Sequence, residues 1–341
     1  MIIVRPVKQK DLDALMDLAR AAYPGMTTLP PDESKLAKKI EHSLQSVACK
    51  TEEAGNQTYL LVMEDTSTNT LVGTAGIIAK LGEDDQFYSY KLNKITQHNR
   101  QTNKKISVET LHLTNHFEGF SEVATLYLAD KYRKNGNGKL LARSRYLFMA
   151  EFRERFPKQV MADLRGYFDE NGRSPFWEAL GRHFFDMDYT EADLHGALNG
   201  NQFIADLMPK HPIYVNLLTE EARAVIGRPN DQGKAALAML EKEGFRWNGQ
   251  IDIFDGAPSV DTYIDDLASV QNSQTAKLSG ELNNATEQSY IICTGDVQNF
   301  RVCISPLSAN DANNASEVSL PQETIDALAL NPGQKIRYVA L

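Results

Sequence analysis

Two glycines one residue apart, Gly136 and Gly138, stand between an apolar run and a long amphipathic segment. This junction limits what the chain can fold into more than any other stretch. Val123-Ala124-Thr125-Leu126-Tyr127-Leu128 is apolar, β-favouring and too short for a helix of its own. After the turn, Leu140, Leu141, Leu147, Phe148 and Phe152 share one helical stripe, which Pro157 ends. The predicted order is strand, glycine turn, helix. A helix that begins in such a turn points its first unpaired N–H groups forward, where with the helix dipole they bind phosphate. Glycine serves where a side chain would block the approach or φ must be positive. Arg133, Lys134 and Lys139 add positive charge. The candidate phosphate-binding residues are therefore Arg133, Lys134, Asn135, Gly136, Asn137, Gly138 and Lys139. Two glycines alone fit any strand-to-helix connection; the flanking strand and helix favour the phosphate reading.

The spacing Arg133-x-x-Gly136-x-Gly138 resembles the acyl-CoA pyrophosphate loop of the GNAT acetyltransferase superfamily. A chain of 341 residues has room for two domains or one enlarged one. A net charge of −9 argues against a nucleic-acid partner. No apolar run reaches membrane-spanning length, so no membrane partner is expected. The start, Met1-Ile2-Ile3-Val4-Arg5-Pro6, is strand-like and unlike a signal peptide. Cys49, Cys293 and Cys303 form neither a CxxC pair nor a disulfide framework. A cytoplasmic location fits these features. His112 and His116 have metal spacing but no evident third ligand, so no metal is expected.

Taken in order, Ile2 to Val7 reads as a strand, Lys8 to Ala22 as a helix, 23–31 as a loop and Asp32 to Ser46 as a second helix. In an acyltransferase of this kind the loop after the first helix often covers the acyl acceptor; a plain connector is the alternative reading. Tyr59 to Glu64 and Leu71 to Lys80 read as a hairpin, with Gly73 and Gly76 marking close approach or a bulge. Residues 82–105 read as polar loop, and Ile106 to Leu113 as a strand. Val160 to Phe168 is a predicted strand, Glu191 to Leu207 a helix and Ile213 to Leu218 a strand. Gly181-Arg182-His183-Phe184-Phe185 and Gly244-Phe245 both follow helical stretches and resemble the closing helix-Gly-Phe-strand element of GNAT folds. Residues 270–288 read as a polar linker and 310–314 as a polar loop. The expected class is α+β: a GNAT-like mixed sheet flanked by helices, a second partial GNAT-like half, and a small β-rich C-terminal module. The expected spans are 1–190 for the acyl-CoA-binding domain, 191–265 for the second half and 285–341 for the module.

Several stretches are similar to the arginine N-succinyltransferase family over nearly the whole chain. They are Gly119 through Leu128, Arg133 to Gly138, Arg165-Gly166 with Ser174-Pro175-Phe176-Trp177, Phe203 to Tyr214, and Leu240 through Gly256. The run Met208-Pro209-Lys210-His211-Pro212-Ile213-Tyr214 is more specific than any glycine pattern. The resemblance implies succinyl transfer from succinyl-CoA, a co-substrate rather than a permanently bound cofactor, to the α-amine of L-arginine. It implies that Leu126 contacts the acyl-CoA. It also implies a proton-donor histidine in an Ile-Gly-x-x-His segment, which here is Ile226-Gly227-Arg228-Pro229-Asn230. Asn230 has no group that titrates near neutral pH. Glu122, at the entry of the central strand, is the preferred base for the attacking amine, and His211 the alternative. Asp163, Asp169 and Glu170 are candidates for the guanidinium, which favours carboxylates. Some family members work as two related chains, so a homo-oligomer and a two-subunit assembly both stay open. The competing readings are a diverged acyl-CoA:amine acyltransferase, a non-catalytic partner subunit and a CoA-binding regulatory module.

Overall fold

A computed structural model describes residues 1–341 apart from 24, 25, 27, 52, 200, 201, 283–287, 296 and 310–315, and the side chains of 194, 197–199, 205 and 309. The polar loop expected at 310–314 lies outside the described residues, as do parts of the expected loop 23–31 and linker 270–288. The chain divides into two compact units, each drawn from interleaved segments. The first comprises Met1–Ala79, Ser121–Lys158 and Tyr263–Leu341, and the second Lys80–Phe120 and Gln159–Thr262. The contiguous spans 1–190, 191–265 and 285–341 do not follow this division. The reason is nonlocal pairing: the N-terminal strand Ile2–Pro6 takes Val302–Pro306 as one antiparallel neighbour and Thr58–Asp65 as the other. The β-rich tail is thereby built into the sheet of the first unit.

In that unit, Ile2–Pro6, Thr58–Asp65, Thr70–Ile78 and Ser121–Leu128 lie side by side in this order, all antiparallel. Thr58–Asp65 is buried along Tyr59-Leu60-Leu61-Val62-Met63 because it is covered on both faces. Alternate side chains of a strand point to opposite faces. Leu60 and Val62 pack with Leu15 and Ala19 of the helix Leu12–Ala22 and with Leu36 and Ile40 of the helix Glu33–Ala48. Tyr59 packs against Phe148 of the helix Asn137–Glu151, ring centroids 4.8 Å apart. Leu36 and Ile40 are fully buried, each contributing roughly 1.5–3 kcal/mol. The Asp32 carboxylate caps its helix by accepting from the Lys35 N–H at 3.0 Å. Strand, two helices, three antiparallel strands, glycine turn and helix follow in the GNAT-like order.

The stretch expected to be a linker forms the helix Ala268–Gln271 and the strand Gln274–Glu281. Its polar composition hid an alternation in which Ala276 and Leu278 are buried. Neighbours on both sides complete the strand: Lys335–Ala340 antiparallel and Glu317–Leu320 parallel.

In the second unit, Ser89–Asn99 and Lys104–Thr114 form a long antiparallel hairpin where 82–105 was expected to be loop. From Asn93 to Asn99 every residue is exposed, so the two faces carry no apolar contrast to signal a strand. The base of the hairpin pairs with Arg246–Ile251, which pairs with Pro258–Tyr263. The strand expected from Val160 stops at Asp163, and the one from Ile213 stops at Tyr214. Within the expected helix at 191–207 the described residues form the helices Tyr189–Asn199 and Gln202–Leu207, and 200–201 lie outside them. The core here gathers Tyr90, Phe176, Trp177, Phe185 and Ile251.

The two helix-Gly-Phe copies differ. Gly244 has φ 110° and ends the helix Asp231–Glu243 with the Phe245 N–H bonded to the Leu240 carbonyl, leading into the strand Arg246–Ile251. Gly181 has φ −58° and is followed by another helical turn, Arg182–Phe185, not a strand. It is glycine for space, since a Cβ there would come 2.3 Å from the Trp177 ring.

Candidate active site

The strand Ser121–Leu128 is bulged. Thr74 opposes Tyr127 and Gly76 opposes Ala124, so Thr125 and Leu126 together face Ala75. Thr125 sits at φ 52°, a left-handed conformation that a β-branched residue rarely adopts. Three neighbours hold it there. The Thr74 hydroxyl donates to the Thr125 carbonyl at 2.9 Å. The Lys39 ammonium donates to the Thr125 hydroxyl at 3.3 Å. Gly76 leaves room, because a Cβ there would lie 3.0 Å from Thr125 Oγ1. Gly76, expected to mark close approach or a bulge, lies opposite the bulged strand and close to Thr125. Nothing in the sequence singled out Thr125 or Lys39. Leu126, the second bulge residue, is partly exposed.

Beside the bulge lies a cavity of about 400 Å³, lined by Thr28, Lys38, Lys39, His42, Thr58, Gly76, Ile77, Ile78, Ala124 and Thr125. Lys39 is partly buried and also donates to the Thr28 carbonyl at 2.7 Å. Burial pushes its pKa down to about 8, with Glu122 opposing the shift. Arg145 of the helix Asn137–Glu151 is buried, and its guanidinium reaches the Ala124 carbonyl at 3.4 Å. Its pKa is lowered by burial, again with Glu122 among the opposing charges. Glu122 is partly buried, opposite Ile78, in the field of both cations.

The glycine turn follows the same strand. A short 3₁₀ turn at Asp130–Tyr132 leads to Asn135 at φ 54° and Gly136 at φ 79°. Gly136 caps the helix Asn137–Glu151 with no side-chain bond. The Asn137 amide instead ties the turn by donating to the Tyr132 carbonyl at 3.0 Å. A Cβ on Gly136 would meet Ile304 and Leu341 at 3.2 Å, whereas one on Gly138 meets nothing within 4 Å. Arg133 braces the approach by donating to the Leu128 carbonyl at 2.9 Å, and it pairs with Asp130. Arg133, Lys134, Asn135 and Lys139 are exposed. The turn thus offers open backbone and a basic rim.

Glu122 belongs to the first unit, His211 and Asn230 to the second. His211 is exposed in a bend. Asn230 caps the helix Asp231–Glu243, its side-chain oxygen accepting from the Gly233 N–H at 2.7 Å, while its own N–H donates to the Arg165 carbonyl at 2.9 Å. Asp169 shapes a local turn by accepting from the Asn171 and Arg173 N–H groups. Asp163 is different. It accepts from the Ser259 hydroxyl, and burial followed by Asp252 pushes its pKa up to about 7. Burial and Asp255 raise Asp252 well above the usual range. Asp255 is pushed up to about 6 by burial, although the Gly166 and Ala257 N–H groups donate to it. Arg165 lies over the Phe168 ring at 5.0 Å and the Tyr189 ring at 5.8 Å. His112 bonds the Thr110 hydroxyl, and His116 packs on Phe117 and Phe120.

The sequence profile described as "Arginine N-succinyltransferase beta subunit" matches residues 2–269, and that of its C-terminal domain matches 274–340. The chain belongs to the arginine N-succinyltransferase family. It is 37% identical over 342 residues to the arginine N-succinyltransferase of Escherichia coli strain 55989, covering 100% of this chain and 98% of the relative. It is 38% identical, with the same coverage, to that of Salmonella paratyphi B. The solved structure of arginine/ornithine succinyltransferase subunit AI from Pseudomonas aeruginosa superposes with a TM-score of 0.88 at 31% identity, over 100% of this chain and 98% of that one. The family match spans both units and includes the β-rich tail.

Proposed function

We propose that the chain transfers the succinyl group of succinyl-CoA to the α-amino group of L-arginine. The full-length match at 37% identity to an arginine N-succinyltransferase supports this reading most strongly. The amine attacks the thioester carbonyl once it has lost a proton, and the CoA thiolate leaves; no covalent enzyme intermediate is needed. Glu122 is the proposed base. It lies on the bulged strand and acts electrostatically on Lys39 and Arg145. Leu126 and the turn from Arg133 to Lys139 are proposed to hold the pantetheine and phosphates of CoA. The open space at Gly138 and the basic rim support this. His211 is kept as the alternative proton carrier, and a cytoplasmic site of action is part of the reading. Among the described residues no helix is long and apolar enough to cross a membrane. A homo-oligomer or two-subunit assembly is proposed by analogy with the relatives' names.

One observation favours a second reading. Asn230 has no titrating group and its side chain is used as a helix cap, so this chain suits a CoA-binding partner subunit if the family histidine is essential. Steady-state release of CoA from succinyl-CoA with a panel of amines decides between them. Turnover with L-arginine by the chain alone supports the first reading. CoA binding without turnover of any amine supports the second.

A further inference from the structure

The cavity beside the bulge has an uncommon composition. Its floor is apolar or glycine, from Gly76, Ile77, Ile78 and Ala124, and its wall carries Lys38, Lys39 and His42. These three lie on one helix at i, i+1 and i+4, with Lys38 and His42 a full turn apart. His42 is anchored by its Nε2 to the Asn56 carbonyl at 2.7 Å, so that nitrogen is the donor. Lys39 reaches over the floor to two uncharged oxygens, the Thr28 carbonyl and the Thr125 hydroxyl. An ammonium has three donors, and these oxygens take two. Burial disfavours the charged form of Lys39 and holds its pKa at about 8, with Glu122 as the carboxylate that opposes the shift.

We propose that this cavity binds a substrate carboxylate, with the Lys39 ammonium as its principal partner. This rests on the succinyl-transfer reading and sharpens it. Two sources share the chemistry: the distal carboxylate of the succinyl group and the α-carboxylate of the amino-acid acceptor. Lys39 is then a specificity-determining residue. It offers one donor to an anion at the bulge of the strand that carries Glu122, and Lys38 adds positive potential at the rim.

The test is calorimetric titration of wild type, Lys39→Met and Lys39→Arg with two ligand pairs. One pair is succinyl-CoA and acetyl-CoA, which lacks the carboxylate. The other is L-arginine and agmatine, which lacks the α-carboxylate, in the presence of CoA. Lys39→Met keeps the aliphatic stem. It should weaken the carboxylate-bearing member of one pair by roughly 10–100-fold, the range of a hydrogen bond to a charged group, and leave its partner unchanged. Loss on succinyl-CoA assigns the acyl carboxylate, and loss on L-arginine the acceptor carboxylate. Lys39→Arg should retain most of the discrimination. Equal weakening of both members of each pair, or no weakening at all, overturns the proposal. If Lys39→Met does not fold, Lys39→Gln, which keeps a polar uncharged end, replaces it with the same criteria. CoA release is measured in parallel. Discrimination without turnover leaves the carboxylate site standing and sinks the transfer reading; turnover without discrimination does the reverse.

Discussion

The first unit buries cations beside a strand, and the second buries carboxylates beside a loop. Around the bulge at Thr125, Lys39 and Arg145 are both held below their usual pKa by burial. Around Arg165 and Gly166, burial raises Asp163, Asp252 and Asp255. The penalty is the same in kind, since low dielectric disfavours whichever form is charged. The linkage runs in opposite directions. A lysine whose folded pKa is about 8 holds fewer protons than the unfolded chain up to 10.5, so stability rises with pH across that window. A carboxyl whose folded pKa is about 7 holds more protons than its unfolded form from 3.8 upward, so stability falls as pH rises toward 7. The basic cluster borders a cavity. The acidic one is largely tied to backbone N–H groups, with Asp252 accepting from Phe254 and Asp255 and with Asp255 accepting from Gly166 and Ala257. One arrangement suits an exchangeable anion; the other shapes a loop.

Four measurements test this contrast. The largest effect is expected at Glu122, the carboxylate in the field of the basic cluster. Glu122→Gln should lower kcat by about 10²–10⁴-fold while folding is retained, as loss of general-base help does. Unchanged turnover would remove Glu122 from the mechanism.

At Asn230, in the second unit, substitution by histidine has two consequences. Loss of the cap should cost about 1 kcal/mol of stability, seen as a lower Tm. If the rest of the site is intact, turnover with succinyl-CoA and L-arginine should rise, by up to ~10²-fold or more as an acid–base group can supply. Pro229 restricts the backbone beside it, so the double substitution with Pro229→Val belongs in the same experiment. A lower Tm with no gain in turnover from either variant would show that position 230 only caps a helix.

The glycine turn separates two effects that its sequence merges. Gly138→Val should weaken CoA binding by about tenfold, the loss of one charge-assisted hydrogen bond, with no loss of helix propensity, since glycine is the poorer helix former. Gly136→Val should instead lower Tm, because φ 79° and the contacts with Ile304 and Leu341 leave no room. Calorimetry and thermal denaturation of both variants check this. Equal CoA affinity for wild type and Gly138→Val would refute the phosphate assignment.

The last measurement concerns pH. Asp163→Asn should raise stability at pH 8, where the native carboxylate is charged, by on the order of 1–3 kcal/mol. At pH 5, nearer the 3.8 at which the folded and unfolded chains begin to differ, that gain should be clearly smaller. Thermal denaturation at the two pH values reads the difference. A gain of the same size at both would mean the substitution acts through packing.

The sequence determined the local features on which the site is built. Val123 to Leu128 read as a strand, Gly136 as a turn and the stripe from Leu140 as a helix, since each is set by period or by glycine's conformational range; Gly138, read as part of the turn, lies in the first turn of the helix Asn137–Glu151. Gly76 announced close approach. The family resemblance was legible because runs such as Met208 to Tyr214 are written in consecutive residues. Tertiary structure decided everything that depends on residues far apart. The bulge at Thr125 has no local signal, because its strained conformation is held by Thr74, Lys39 and the space at Gly76. Lys39 reads as one solvated lysine among several on an amphipathic helix until the sheet beneath it is in place. Of the hairpin at 89–114 the second strand was legible from Ile106, whereas the first was not, because from Asn93 to Asn99 it has no buried face. The tail joined the first strand because the free edge of Ile2–Pro6 needed a partner, and a strand's edge has no sequence mark. Asn230 could be recognised as a departure from a pattern, but its work as a cap appears only where the chain enters the helix and the Gly233 N–H comes within reach.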